Sequence, residues 1–296
     1  MKKTGGVCLK LALGTVQFGL PYGISNQSGQ VSRESGKDII ALAKSSGIDT
    51  LDTAIGYGES ESCLGDIGLD NFKVVTKLPD IPDDVSDVGL WVRDQIHASL
   101  RRLNVTSVYG VLLHRSQQLL GPKGKDLYQA LGQLKSEGFM RKIGVSIYAP
   151  SELDSLMNVW SIDLLQAPFS LIDQRLKTSG WLKKLHVSGI EVHTRSAFLQ
   201  GLLLMPAATI PEKFKHWRPL LNTWQDWLLD NNISAVQACI GFVQAHPQIA
   251  RVVVGVESIQ QLEQLIQFSK EPLNTIWPNI CCSDEHLINP SNWNLL

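Results

Sequence analysis

Eight short apolar runs, spread along the whole chain and most of them separated by a helical pattern, constrain the fold more than any other feature. They cover residues 9–14, 47–52, 72–77, 107–114, 141–146, 162–166, 189–194 and 251–255. Alternating strands and helices favour a parallel sheet covered by helices, and eight such units read as a closed (β/α)8 TIM barrel. Between the third and fourth runs, Val85, Val88, Val92, Ile96, Leu100 and Leu103 recur every three or four residues, as on a helix with one buried side. Leu127, Leu131 and Leu134 mark the next helix, and Leu153, Leu156 and Met157 the one after. Residues 230–245 read as a single helix buried through Ile233, Val236, Ile240 and Val243. With 296 residues and 44% hydrophobic content, the chain can fill one α/β barrel as a single domain, 1–296.

Two stretches leave the alternation. Residues 198–229 contain Pro206, Pro211 and Pro219 and read as an insertion covering the barrel mouth, with Trp217, Trp224 and Trp227 anchoring it and a substrate platform as their alternative role. Residues 272–296 show little periodicity and are expected as an irregular segment across the outside or the rim.

Charge removes several function classes. Lysines and arginines number 27 against 28 acidic residues, a net charge of -1, and no long basic tract suggests a nucleic-acid partner. The apolar stretch after MKKTGG is interrupted by Lys10, and no run is long enough to span a membrane, so a cytoplasmic protein without membrane contact is expected. Cys8, Cys63, Cys239, Cys281 and Cys282 are odd in number and lack CxxC spacing, which suits reduced thiols. No sequence feature sets an oligomeric state.

Chemistry-bearing residues sit at or just past the strand-like runs: Asp52 and Tyr57 after the second, Lys77 and His114 at the ends of the third and fourth, Ser146 and Gln166 at the ends of the fifth and sixth. A barrel brings such positions to one mouth. One histidine and one aspartate are too few for a zinc set, and Cys63 has no assignable histidine, so neither a metal nor a thiol nucleophile is expected. No GxGxxG follows the first run, which argues against a Rossmann cofactor site.

The ordered words LALGTVQFG (11–19), LDTAIGYGESE (51–61), VVTK (74–77), VLLHR (111–115), IGVS (143–146), QAPFSLIDQR (166–175), RSAFLQGLL (195–203) and VVVGVESIQQL (252–262) span nearly the whole barrel. On these words the chain resembles the aldo/keto reductase family, and most of all its bacterial members associated with sugar or polysaccharide metabolism. The resemblance implies a catalytic set of Asp52, Tyr57, Lys77 and His114, and an extended nicotinamide cofactor across the C-terminal face. Tyr57 would supply the proton, Lys77 would favour the developing phenolate, Asp52 would hold Lys77, and His114 would donate to the carbonyl oxygen.

Carried over in the same way, Ser146 and Gln166 would hold the carboxamide, with satisfaction of loop backbone groups as their alternative role. Gly14, Thr15 and Gly255 would line the cofactor path, and Arg195 and Ser196 would meet its ring or phosphates. Arg195 departs from the family's usual tyrosine, and a rim salt bridge is its alternative. After the last run, Glu257, Ser258 and Gln261 would face the adenosine end, although Ser258 and Gln261 also have capping-box spacing. The resemblance favours NADP(H). The absence of a base between Gly255 and Leu265 keeps NAD(H) possible. The expected activity is NAD(P)H-dependent interconversion of an aldehyde, ketone or sugar-like carbonyl with its alcohol. The alternatives are a cofactor-assisted sugar epimerase or dehydratase, and a non-catalytic dinucleotide-binding regulator.

Overall fold

The computed structural model describes residues 9–24, 26, 28–271 and 273–295; Cys8 and the MKKTGG segment lie outside the described residues. Eight parallel strands close in sequence order: β1 (Leu11–Gly14), β2 (Thr50–Asp52), β3 (Lys73–Leu78), β4 (Val108–Leu113), β5 (Met140–Ser146), β6 (Leu164–Pro168), β7 (Glu191–Arg195) and β8 (Arg251–Gly255), with β8 paired to β1. The expected (β/α)8 barrel is therefore present, each run containing its strand within about three residues. The register places Gly14 opposite Asp52 on one side and Gly255 on the other, Ser146 opposite Gln166, and Pro168 opposite Arg195.

Around the barrel run α1 (Arg33–Ser45), α2 (Ser60–Ile67), α3 (Val88–Leu103), α4 (Gly124–Ser136), α5 (Glu152–Leu156), α6 (Arg175–Thr178), α7 (Trp181–Val187), α8 (Arg218–Asn231), α9 (Ala235–Gln244), α10 (Ile259–Lys270) and α11 (Glu285–Ile288). The periodic residues of α3 from Val88 onward are buried, whereas Val85 lies before Asp87, whose carboxylate caps the helix by accepting from the Leu90 N–H. The single helix expected over 230–245 is two helices. Asn232 adopts a left-handed conformation (φ 52°) that closes α8, and Ser234 starts α9 by accepting from the Gln237 N–H at 3.2 Å.

Most of the core lies between barrel and helices, and a separate cluster of Val75, Leu112 and Leu164 fills the barrel interior. Two residues later on the same strands, Lys77, His114 and Gln166 follow on the same face, as the period of a strand requires. The opposite end is closed by polar groups: Glu191 accepts from Tyr109 at 2.6 Å, contacts His193 Nε2 at 2.7 Å and pairs with Lys142. Burial pushes the Glu191 carboxyl up, but these three partners outweigh it and hold it well below the usual carboxylate range.

Between β7 and α8 the chain forms three short 3-10 turns, Leu199–Leu204, Ala207–Thr209 and Glu212–Trp217. Indole N–H groups tie this region down: Trp217 donates to Asp284, Trp224 to the Leu203 carbonyl and Trp227 to the Ile276 carbonyl. The segment around α11 docks back on the β6–α6 loop through the Cys282 N–H and the Ile172 carbonyl, 2.9 Å apart. No helix of the described residues is long and apolar enough to cross a membrane.

Candidate active site

The loop after β2 is shaped by glycine. A Cβ on Gly19 would lie 1.8 Å from the Tyr57 carbonyl oxygen, and one on Gly58, at φ +56°, would lie 2.6 Å from the Gly19 carbonyl oxygen. This close approach packs the turn after β1 onto the loop carrying Tyr57. Below it, Ser60 donates to the Thr15 carbonyl at 2.8 Å and lies within about 3 Å of the Thr15 and Thr53 hydroxyls, joining α2 to β1 and β2.

Asp52, Lys77 and Tyr57 form one connected chain. Lys77 Nζ donates to Asp52 Oδ1 at 2.6 Å, to the Thr53 carbonyl at 2.9 Å and to Tyr57 Oη at 3.4 Å. The Lys77 side chain is 1% exposed. Its burial alone would lower the lysine pKa, but Asp52 and Tyr57 outweigh that and raise it, so the side chain stays charged. The second Asp52 oxygen accepts from Gln166 Nε2 at 2.6 Å. His114, one residue past β4, continues the ladder by donating its N–H to the Leu78 carbonyl, and its ring meets the Tyr57 ring edge to face at 6.0 Å. Burial, followed by the positive charges of Lys77 and Arg195, lowers its pKa from 6.5 to about 4, so the imidazole is neutral near pH 7.

A cavity of about 330 Å³, within the usual range of small-molecule sites, opens onto this chain. Asp52, Tyr57, Gly14, Thr15, Gln166, Arg195, Ser196, Gly255, Glu257 and Gln261 line it; Lys77 lies buried beneath. Thr15 reaches the wall with its hydroxyl already bound to the Asp52 carbonyl at 3.0 Å. His114, Ser146 and Ser258 are not part of the lining. Ser146 is buried, and the Ser258 hydroxyl caps α10 by accepting from the Gln261 N–H, while the Gln261 side chain accepts from the Glu257 N–H at 2.8 Å. Arg195 makes no rim salt bridge among the described residues.

Several lining residues escaped the site assignment made from sequence, among them Gln17, Tyr22 and Gln200. Gln17 is buried against Gly255, where a Cβ would strike its amide at 2.4 Å, and its Oε1 has no hydrogen-bond partner among the described residues. Tyr22 Oη accepts from Gln200 Nε2 at 2.8 Å, joining the loop after β1 to the loop after β7. The words LALGTVQFG and RSAFLQGLL contain Gln17 and Gln200 without giving either a role, and nothing marked Tyr22. Cys63, the thiol in α2, is buried, with its pKa pushed up by burial, and no metal-holding group of three or more His, Cys, Asp or Glu occurs among the described residues.

Residues 10–276 match the Aldo/keto reductase family. The chain is 26% identical over 282 residues to an uncharacterized oxidoreductase of Bacillus subtilis, covering 87% of this chain and 90% of that protein. It is 27% identical over 215 residues to the NADH-specific methylglyoxal reductase of Escherichia coli, covering 66% of this chain and 65% of that one. An aldo-keto reductase from Bacillus halodurans, solved in its holo form, shares the fold with a TM-score of 0.71 at 21% identity, covering 90% of this chain and 88% of the other.

Proposed function

Because the chain belongs to the aldo/keto reductase family, we propose that it is an NAD(P)H-dependent oxidoreductase that reduces the carbonyl of an aldehyde, ketone or sugar-like substrate, or runs the reverse oxidation. The observation that carries this reading is the buried chain from Asp52 through Lys77 to Tyr57 at the mouth of the cavity. It has the parts that carbonyl reduction needs: a phenol to give a proton, a buried cation to favour the phenolate left behind, and a carboxylate to hold that cation.

One observation independent of family resemblance supports a bound cofactor here: Gln17 Oε1 is a buried acceptor with no partner among the described residues. Gly14, Gln166, Ser196, Gly255 and Gln261 are the further lining residues that would hold it, with Ser146 and Ser258 as supports from behind. A bound nicotinamide supplies the hydride. Tyr57 gives its hydroxyl proton to the substrate oxygen, and Lys77 stabilises the resulting phenolate. Asp52, fixed by Gln166, keeps the ammonium in place. The neutral His114 donates a hydrogen bond to the same oxygen and steadies the developing negative charge.

The family resemblance favours NADP(H), but the cavity carries the Glu257 carboxylate beside β8 and no base on the first turn of α10. A 2′-phosphate there gains little and meets a like charge, so any preference for NADP(H) over NAD(H) is small. The NADH specificity named for the Escherichia coli relative supports this reading. Placement in a sugar- or polysaccharide-associated branch rests on the sequence words alone. The buried Lys77 contact with Tyr57 argues against a non-catalytic regulator.

Replacing Tyr57 with Phe tests the assignment. Turnover of a carbonyl substrate should fall about 100-fold or more, within the usual contribution of a general acid, while cofactor affinity holds. Undiminished turnover would remove Tyr57 as the acid. Stoichiometric loss of NADH or NADPH absorbance separates net reduction from an epimerase or dehydratase, which returns the hydride.

A further inference from the structure

Arg195 ends β7 and lines the same cavity as Asp52, Tyr57 and Gln166. Its guanidinium lies 4.7 Å from the centroid of the Tyr148 ring, donates to the Ile147 carbonyl at 3.0 Å and approaches the Ser196 hydroxyl at 3.4 Å. A guanidinium has five N–H donors, so these contacts fix its plane and leave most of its donors free. Other half-buried arginines of this protein face carboxylates: Arg175 pairs with Asp173, and Arg251 with Asp49. Among the described residues Arg195 pairs with none, and the two other arginines without an ion pair, Arg101 and Arg141, stand exposed on the outside.

The neighbouring carboxylates do not fill the role. Asp52 is committed to Lys77 and Gln166, and Glu257, the other acid of the lining, forms no ion pair with Arg195. Arg195 is thus the one Lys or Arg among the residues lining the cavity. A cation partly withdrawn from water without a counter-charge is costly, and here it is held rigid with its free donors available to a ligand. It also stands close enough to His114 and Tyr22 for its charge to act on both.

We propose that Arg195 binds an anionic group, a carboxylate or a phosphate, carried on the carbonyl substrate, so that the enzyme selects acidic aldehydes or ketones over neutral ones of similar size. This rests on the reading of the site as a carbonyl reductase and narrows its substrate class. Selection comes from the fixed plane: Ile147 and Tyr148 hold the guanidinium in one orientation, which suits the paired oxygens of a carboxylate or phosphate.

The test compares matched aldehydes: succinic semialdehyde against butanal, and glyceraldehyde 3-phosphate against glyceraldehyde. At least one acidic member should exceed its neutral partner in kcat/KM by about tenfold or more, and Arg195→Gln should bring that ratio close to one. Arg195→Lys, which keeps the charge but not the fork, should retain part of it. The two pairs separate a carboxylate from a phosphate. A wild type without preference, or a ratio unchanged in Arg195→Gln, overturns the proposal. Equal loss of NADH and NADPH affinity in Arg195→Gln with the ratio intact would assign the residue to the shared part of the cofactor instead, and also overturns it. Should no aldehyde be turned over, the reductase reading fails, and calorimetric titration with butyrate and glycerol 3-phosphate still decides the anion site. Binding by wild type that is lost in Arg195→Gln supports it, and equal binding or none refutes it.

Discussion

Replacing His114 with Gln removes a proton-binding site that folding has displaced from 6.5 to about 4, through burial first and then the charges of Lys77 and Arg195. The unfolded chain takes up this proton below pH 6.5, and the folded protein holds it off until about pH 4. Between those values the unfolded state binds more protons, so the wild type loses stability as pH falls through the window. The full gap, at about 1.4 kcal/mol per pH unit, sets a ceiling of about 3.4 kcal/mol. By pH 5 the two-state expression reaches about 2 kcal/mol, and solvent screening at the half-buried ring leaves about 1–2 kcal/mol. Urea unfolding of wild type and His114→Gln at pH 7.5, 6.0 and 5.0 reads this directly, because the carboxylates titrate in both proteins and cancel in the difference. The wild type should lose about 1–2 kcal/mol relative to the variant between pH 7.5 and 5.0. A difference that stays level across that range would refute a neutral, desolvated imidazole and the hydrogen-bonding role built on it.

The barrel was legible because two periods coexist in the chain. Runs such as 72–77 and 107–114 are too short for helices, and the Val88 to Leu103 pattern between them has helical spacing. The break in 230–245 was written in the sequence too, since Asn232 suits a left-handed helix end and Ser234 an N-cap, but apolar spacing carried across the junction and hid it. Strand-end logic brought Asp52, Lys77, His114 and Gln166 to one mouth because a strand's period fixes direction as well as order. What it could not supply were partners from remote segments. The Gln166 amide bound to Asp52, Gln17 packed on Gly255, and Arg195 held by Ile147 and Tyr148 all depend on neighbours distant in the chain. Ser258 shows the converse case: its capping spacing is local, and the local role is the one its hydroxyl performs.

Lys77→Met should lower turnover about 100-fold or more and also destabilise the protein by about 3–5 kcal/mol, because it leaves Asp52 buried without its cation. Adding Asp52→Asn should recover part of that stability in denaturant melts without restoring turnover; recovery of activity in the double variant would show that the cation is not needed beside Tyr57. The proposed cofactor choice rests on a different charge. Glu257 lines the cavity, and its carboxyl pKa is raised by burial, so a further negative group brought beside it meets both repulsion and lost hydration. By fluorescence titration NADPH should therefore bind no more than about tenfold tighter than NADH, a margin of about 1.4 kcal/mol. Glu257→Lys replaces the repulsion with an ion pair and should improve NADPH affinity by about tenfold while NADH changes little. A wild-type preference for NADPH above about 1000-fold needs about 4 kcal/mol of discrimination. Such a value would mean that a base outside the α10 turn reaches the 2′-phosphate, and the like-charge argument at Glu257 would fall with it.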